Sequence, residues 1–479
     1  ADTEYTIEID VVDAAGSTAG VLDPTTFTSG SLPDHLPEFR VPVADGERMA
    51  DGLPLFNLLD LRDDFDGDAD EASGGGDGTD GSTESTVPPP AGWIFLVDAE
   101  GEVVWYHVED HPVGEVTMLA DATILFEMND TAARRIDLRG DVLDEWASTT
   151  IVDRLKFDAF GRQVVGDDPL VVDIDAMHHE HRILPDGTHV TLSTELRVLD
   201  GFDEPQCGED PATFDGTYHL VGDIVVIFDP STGDVLQEIN LFDHVDPRID
   251  PEAYNLCGLP FDFVFPNWLY RGLDDEARDW THGNAVELDE ANNTLIVSIR
   301  HLDALLGFRW LDDADGAAGE LLWHSGPLGD LELVSGEWHR HQHAPEVQAD
   351  GTVLVYDNGN NRPGHGPDGE PLYTRAVLYD LDPAAGTVEQ LWEYRITDAD
   401  GNVLYSAAVG DADRLANGNV LVVDGFLVVD DANPVSAQIV EIVPADDGAD
   451  GGEAVFRLEV ADGPGWLVYR GDRVPSPFG

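Results

Sequence analysis

From Gly92 onward, short apolar runs and turns succeed one another in a repeating pattern. Trp93-Ile94-Phe95-Leu96-Val97 leads through Asp98 and Gly101 into Val103-Val104-Trp105. Ile224-Val225-Val226-Ile227-Phe228 leads through Asp229 and Gly233 into Val235, and Ala376-Val377-Leu378-Tyr379 runs on to Leu391-Trp392-Glu393-Tyr394. Ile439-Val440-Glu441-Ile442-Val443 is a further copy. Runs of this length, rich in β-branched and aromatic residues and bounded by Gly, Asp and Asn, predict strands. The turns agree: Leu184-Pro185-Asp186-Gly187, Gln348-Ala349-Asp350-Gly351 and Leu415-Ala416-Asn417-Gly418-Asn419 place Asp-Gly or Asn-Gly between apolar runs, the strongest short-range hairpin signal. Helical spacing of apolar residues is scarce throughout.

The theme returns at irregular intervals of roughly 40 to 70 residues, and four-stranded units at that spacing predict a β-propeller. Six blades are expected at 92–112, 115–150, 176–245, 280–325, 341–395 and 410–460, with Trp466-Leu467-Val468-Tyr469 closing the ring against the first. The fold class is therefore all-β: a six-bladed propeller over 92–479 behind a short N-terminal β/loop extension over 1–62. In that extension Tyr5 to Val12 alternates like one strand. Between them, 63–91 is acidic and low in complexity, ending at Pro88-Pro89-Pro90, and reads as a solvated linker.

Composition narrows the setting. The 97 Asp and Glu against 24 Lys and Arg give a net charge of -73, with Lys156 the single lysine. Nucleic acid and anionic membrane surfaces are excluded as partners on electrostatic grounds. At molar salt the screening length falls to roughly 3 Å, and such carboxylates serve as hydrated, solubilising groups. A salt-adapted, haloarchaeal protein is expected. The 42% hydrophobic content, set in ordered runs, excludes an acidic disordered chain. No run of about 20 apolar residues occurs, so no membrane span is expected. A chain starting at Ala1 suggests a processed N-terminus. Cys207 and Cys257 stand in Gly-bearing loops; one disulfide fits an extracellular or cell-surface protein, two free thiols being the alternative.

In a chain with so few cations, histidine and arginine recur in four short stretches spread over separate repeats. These are Met177-His178-His179-Glu180, Asp279-Trp280-Thr281-His282-Gly283-Asn284, Ser298-Ile299-Arg300-His301 and His339-Arg340-His341-Gln342-His343. His179, His282 and His343 each stand at the start of a blade's first hairpin, and Arg300 ends the second strand of the fourth blade. Superposed blades would bring all four to one end of the central channel. Imidazole and guanidinium together suit a tetrahedral oxyanion: arginine offers forked donors and protonated histidine a transferable proton. A neutral histidine can attack sulfur or phosphorus and split transfer into two displacements.

Asp279-Trp280-Thr281-His282-x-Asn284, Val297-Ser298-x-Arg300-His301, Gln342-His343 and Tyr356-Asp357-Asn358-Gly359-Asn360 resemble the signature of the arylsulfate sulfotransferases. So do Arg375-Ala376-Val377, Trp392-Glu393-Tyr394 and Gly410-Asp411-x-x-Arg414-Leu415-x-Asn417-Gly418-Asn419, and the resemblance covers roughly residues 92–470. It implies a six-bladed propeller that moves a sulfuryl group from an aryl sulfate to a phenolic acceptor by a ping-pong route. It also implies a sulfohistidine intermediate, with no cofactor and no nucleotide sulfate donor. By resemblance the nucleophile falls on His343, with His179, His282 and Arg300 supporting it and Asn284 and Asn358 as substrate-binding residues. Bacterial members carry a longer N-terminal β-domain that helps form a homodimer, so a homo-oligomer stays open for this chain.

The bland readings differ by residue. His339, His341 and His343 alternate and would share one side of an extended segment, but no helical His-x-x-x-His pair and no cysteine accompanies them, so no metal is expected. His178, His181, His301, His339 and His341 read as bystanders, with His178 pointing away from His179. Asp357 to Gly359 read chiefly as a blade turn. The rival to the enzyme is a non-catalytic extracellular propeller serving as a surface, adhesion or self-assembly module.

Overall fold

Strands buried on both faces lose the in-out alternation, and Gly92–Val97, Thr294–Ile299 and Val353–Asp357 are buried at every residue. The computed structural model describes residues 4–7, 10–12, 18–21, 25–28, 36–60, 92–155, 163–205, 210–248, 267–270, 273–274, 276–366, 369–428, 436–445, 449–460 and 465–478. The expected linker over 63–91, Cys207 and Cys257 lie outside the described residues.

The chain divides into two units, Ala1–Phe39 and Arg40–Gly479. In the first, Glu4–Ile7 pairs with Thr25–Thr28, and Asp10–Val12 pairs with Thr18–Val21, both antiparallel. The single alternating run expected from Tyr5 to Val12 is thus divided between two hairpin partners.

The second unit is a propeller of six sheets, each built on antiparallel neighbours. Blade 1 runs outward from Gly471–Val474 and Trp466–Leu467 through Leu53–Asp60 and Gly92–Val97 to Val103–Glu109. Blade 2 takes Val113–Met118, Ile124–Met128, Ala132–Ile136 and Val142–Ser148, and blade 3 takes His178–Ile183, His189–Asp200, Thr217–Phe228 and Val235–Asn240. Blade 4 consists of Gly283–Asp289, Thr294–Ile299, Ala304–Arg309 and Leu321–Ser325. Blade 5 has His343–Val347, Val353–Asp357, Arg375–Asp382 and Thr387–Arg395; blade 6 has Asp411–Arg414, Val420–Leu427, Ser436–Pro444 and Gly452–Val460. Neighbouring blades touch through their first strands, which ring the central channel.

Two strands from the expected N-terminal extension belong to these blades. Leu53–Asp60 is the second strand of blade 1, in register Leu55 with Leu96, and Phe39–Ala44 adds an outer strand to blade 6. The propeller therefore draws on residues well before Gly92. Its unbroken apolar run Leu53-Pro54-Leu55-Phe56 is that of a strand covered on both faces, which loop-rich flanks concealed. The apolar core is likewise divided into blade interfaces. Leu55, Ile94 and Phe126 pack between blades 1 and 2; Val225, Trp280 and Val297 between blades 3 and 4; Tyr356, Trp392 and Val422 between blades 5 and 6.

Ring closure follows the expected place with more precise pairing. Gly471 to Val474 run antiparallel against Phe56 to Leu53. The buried amide of Asn57 accepts from the backbone N of Tyr469 at 2.8 Å and donates to the Val113 carbonyl at 2.6 Å, tying the C-terminal segment to blades 1 and 2. Just beyond, Arg470 is buried among three blades. It bridges Glu115 at 3.2 Å and Glu180 at 3.0 Å and donates to the Asn284 carbonyl at 2.6 Å.

Candidate active site

Three first strands begin with a defect in pairing. Register shifts between His178 and His181, between Gly283 and Ala285, and between His343 and Glu346. At these bulges His179, His282 and Ala344 take φ of 59°, 53° and 44°, a left-handed conformation that costs an ordinary residue about 1–2 kcal/mol. Surrounding bonds hold the strain. Asp223 of blade 3 accepts from the Gly283 backbone at 2.5 Å and from Thr281 Oγ1, while the amides of Arg300 and His301 donate to the carbonyls of His282 and Thr281, each at 3.1 Å. Strained backbone held this way re-aims side chains, and here it turns imidazoles from separate blades toward one another.

His179 sits at the centre of this cluster, its ring 4.9 Å from that of His282 and 5.8 Å from that of Tyr469. His178 does not point away: its Nδ1 lies 2.8 Å from Nδ1 of His179, because the bulge removes the two-residue alternation. His181 instead leaves the site and meets Nδ1 of His189 at 2.9 Å between blades 2 and 3. Burial, then the neighbouring His282 and His178, lowers the pKa of His179 well below the usual imidazole value.

His343 is buried, and its Nδ1 lies 2.7 Å from Oδ1 of Asn358. The Asn358 amide nitrogen donates to the carbonyls of Ser406 at 3.0 Å and Val409 at 2.9 Å, which leaves its oxygen facing the ring. An amide oxygen accepts, so Nδ1 of His343 carries the proton and Nε2 keeps its lone pair. Burial, followed by the Arg300 charge, lowers the His343 pKa well below the ordinary range. Arg300 is itself buried and donates through Nη2 to the Ala407 carbonyl at 3.2 Å. Its charge reaches His341, His343 and Asp279, which places the guanidinium among the imidazoles.

His179, His282, Arg300 and His343 are therefore brought together. Asn358 and Asn284 are arranged differently from an open substrate contact. The Asn358 amide is engaged by His343, Ser406 and Val409, and Asn284 donates to the Gln342 carbonyl at 2.7 Å with its whole residue buried.

The alternating row His339, His341 and His343 diverges. Residues 339–342 form a loop, not a strand; His339 Nδ1 meets Gln342 Oε1 at 2.9 Å and His341 Nε2 meets Asn361 at 3.2 Å. Two expected bystanders join the cluster instead. His301 stacks on His282 with centroids 4.8 Å apart, and His341 lies 5.8 Å from His301. Asp279 was present in the quoted motif but carried no assigned role; it contacts Nδ1 of His282 directly and lies 3.8 Å from Nδ1 of His301.

The donors of Asp279, His282 and His301 fall within 4.8 Å of one another, close enough to raise the question of a metal. The Arg300 guanidinium adds a cation alongside, which disfavours a second positive charge there. The set fits one imidazole N–H on a carboxylate with a second ring stacked behind it. Farther along the same strands the channel changes sign. A cavity of about 350 Å³ is lined by Glu115, Glu180, Glu287, Glu346, Asp411, Asp413 and Asp472 with Arg182 and Arg470.

The sequence model of the arylsulfotransferase (ASST) family matches residues 90–470. Arylsulfate sulfotransferase AssT of Escherichia coli O6:H1 and that of Lelliottia amnigena are 25% and 26% identical over 139 residues, which is 24% of this chain and 23% of each relative. The chain thus spans under a quarter of the length of these curated relatives. Among solved structures, a protein of unknown function from Bacteroides caccae has a TM-score of 0.42 at 13% identity, over 88% of this chain and 98% of that one. Hydrazine synthase of Kuenenia stuttgartiensis has a TM-score of 0.35 at 11% identity, over 77% and 80%.

Proposed function

The chain belongs to the arylsulfotransferase family, and on that premise we propose that it carries a sulfuryl group from an aryl sulfate to a phenol through His343. Nε2 of His343 attacks sulfur in line with the aryl oxygen; an N–S bond forms, the S–O bond to the ring breaks, and its electron pair leaves on the phenolate. His282 protonates that oxygen. Arg300 and His179 hold the sulfuryl oxygens as charge shifts across them. A second phenol then gives its proton to His282 and takes the sulfuryl group off nitrogen, restoring the free imidazole. Two displacements at one site make a ping-pong route with no nucleotide sulfate donor. A phenolate is a far better leaving group than an alkoxide, which fits aryl donors.

The observation that carries this reading is the His343–Asn358 pair at 2.7 Å, which leaves a bare imidazole nitrogen in a cluster with Arg300. The proposal extends to a salt-adapted, exported haloarchaeal protein, a setting supported by the net charge of -73. The test is turnover of 4-nitrophenyl sulfate with added phenol in molar salt. Nitrophenol release that needs the acceptor, with parallel lines when both substrates are varied, is the expected result; release by water alone, or none, rejects the proposal.

The nucleophile must be neutral to react, and burial together with Arg300 lowers its pKa. The acid limb of kcat/KM on 4-nitrophenyl sulfate is therefore expected well below the ordinary imidazole value of about 6.5. An acid limb at or above that value would contradict a buried neutral His343.

A further inference from the structure

His282 needs a fixed tautomer to give a proton in one half-reaction and take it back in the other, and its Nδ1 is held by a carboxylate that no strand pairing of blade 4 requires. Asp279 lies outside that blade's sheet, on the two-residue strand Arg278–Asp279 that pairs in parallel with Thr217–Phe228 of blade 3. It is buried, touches Nδ1 of His282 and lies 3.8 Å from Nδ1 of His301. We propose that Asp279 is the positioning residue for proton transfer in this site, holding His282 as the Nδ1–H tautomer with Nε2 turned to the aryl oxygen. This rests on the transfer reading above and adds to it the device that moves the proton.

The surroundings favour that role. Nδ1 of His301 is buried and makes no hydrogen bond, and its ring stacks on His282 at 28°, so His282 is fixed both at its edge and on its face. Burial alone would raise the carboxyl of Asp279, but His282, His301 and Arg300 outweigh it and keep the group ionised. Burial pushes His301 down to about 3, so it stays neutral and does not compete for the catalytic proton. The groups facing His282 are Asp279, His301, His179, His341, His343 and the Arg300 guanidinium; Asp279 is the anion among them. In the first half-reaction, His282 carries protons on both nitrogens and gives the one on Nε2 to the departing phenolate oxygen. The neutral ring that remains has its proton on Nδ1, facing Asp279, and its Nε2 lone pair accepts the proton of the incoming phenol. Asp279 gains and loses no proton in the cycle.

Two measurements test this. Asp279→Asn is compared with the unaltered protein on 4-nitrophenyl sulfate, whose phenolate leaves without help, and on 4-methylphenyl sulfate, whose phenolate needs a proton. The expected loss is about a hundredfold on the poor leaving group and under about tenfold on the good one, within the range for a lost proton transfer. Asp279→Glu, which keeps the carboxylate, is expected to recover most of the difference. Equal losses on both donors would mean a purely structural role and overturn the proposal. Independently, ¹⁵N shifts of His282 in the full protein, followed to a pH where its ring is neutral and assigned with His282→Gln, are expected to show that neutral ring protonated on Nδ1. A neutral ring protonated on Nε2 instead overturns the proposal even if Asp279→Asn does not fold. Failure of the unaltered protein to transfer sulfate would reject the transfer reading and leave the tautomer to be decided by the spectra.

Discussion

Replacing His343 by alanine is expected to lower aryl sulfate turnover about 10⁴-fold or more, because a covalent route has no detour around its nucleophile. The same variant is expected to lose the intermediate. With 4-nitrophenyl sulfate and no acceptor, the unaltered protein should release one burst of nitrophenol per site and gain the mass of a sulfuryl group on a peptide containing His343. Turnover undiminished in His343→Ala, or the label found on His179 or His282, would move the nucleophile to another imidazole. Asn358→Leu supplies a graded comparison. It removes the acceptor that keeps the His343 proton on Nδ1 at 2.7 Å and should slow the first displacement while leaving the burst present.

Replacing Arg470 by methionine is expected to destabilise the propeller by about 3–5 kcal/mol, the range for removing one partner from a buried ion pair. Burial would push Glu180 up, but Arg470 and Arg182 together hold it down at about 2, so at neutral pH it is charged in the folded and unfolded chain alike. Glu115 is driven the other way by burial and by the charge on Glu180. Without the guanidinium, Glu180 on blade 3 keeps Arg182 at 3.4 Å and the Val286 backbone N–H at 3.2 Å, and the Asn284 carbonyl on blade 4 loses its 2.6 Å donor. The effect is read from thermal unfolding in molar salt, and Arg470→Met with Glu180→Gln should recover part of the loss. An unchanged transition would show that closure rests on the strand pairing of Gly471–Val474 alone.

Several parts of this protein were legible in its sequence. Asp-Gly and Asn-Gly turns between apolar runs located the hairpins from 92 to 460, and the phase of His179, His282 and His343 at the head of successive first hairpins anticipated that their side chains gather at one place. Both signals are local: a two-residue turn and a short strand are decided by neighbours in the chain. Phe39–Ala44 escaped because its partner, Gly452–Val460, lies some four hundred residues away; Leu53–Asp60 pairs with Gly92–Val97 only across the 63–91 stretch and with Gly471–Val474 from the far end of the chain, and such pairing leaves no mark on the strand itself.

Alternation also misled at the site. It separates His178 from His179 and aligns His339 with His341 and His343, yet bulges with positive φ bring the first pair into contact and a loop turns His339 away to Gln342 while His341 and His343 stay in the cluster. The sequence by itself determined the hairpins, the six-fold repetition, the acidic character and the identity of the four residues on which the transfer reading rests. Only the tertiary structure decided which blades the early strands complete, that Asp279 and His301 stand behind His282, and that Asn358 orients His343. Those depend on strain at bulges and on bonds between blades, and both exist only once the ring is closed.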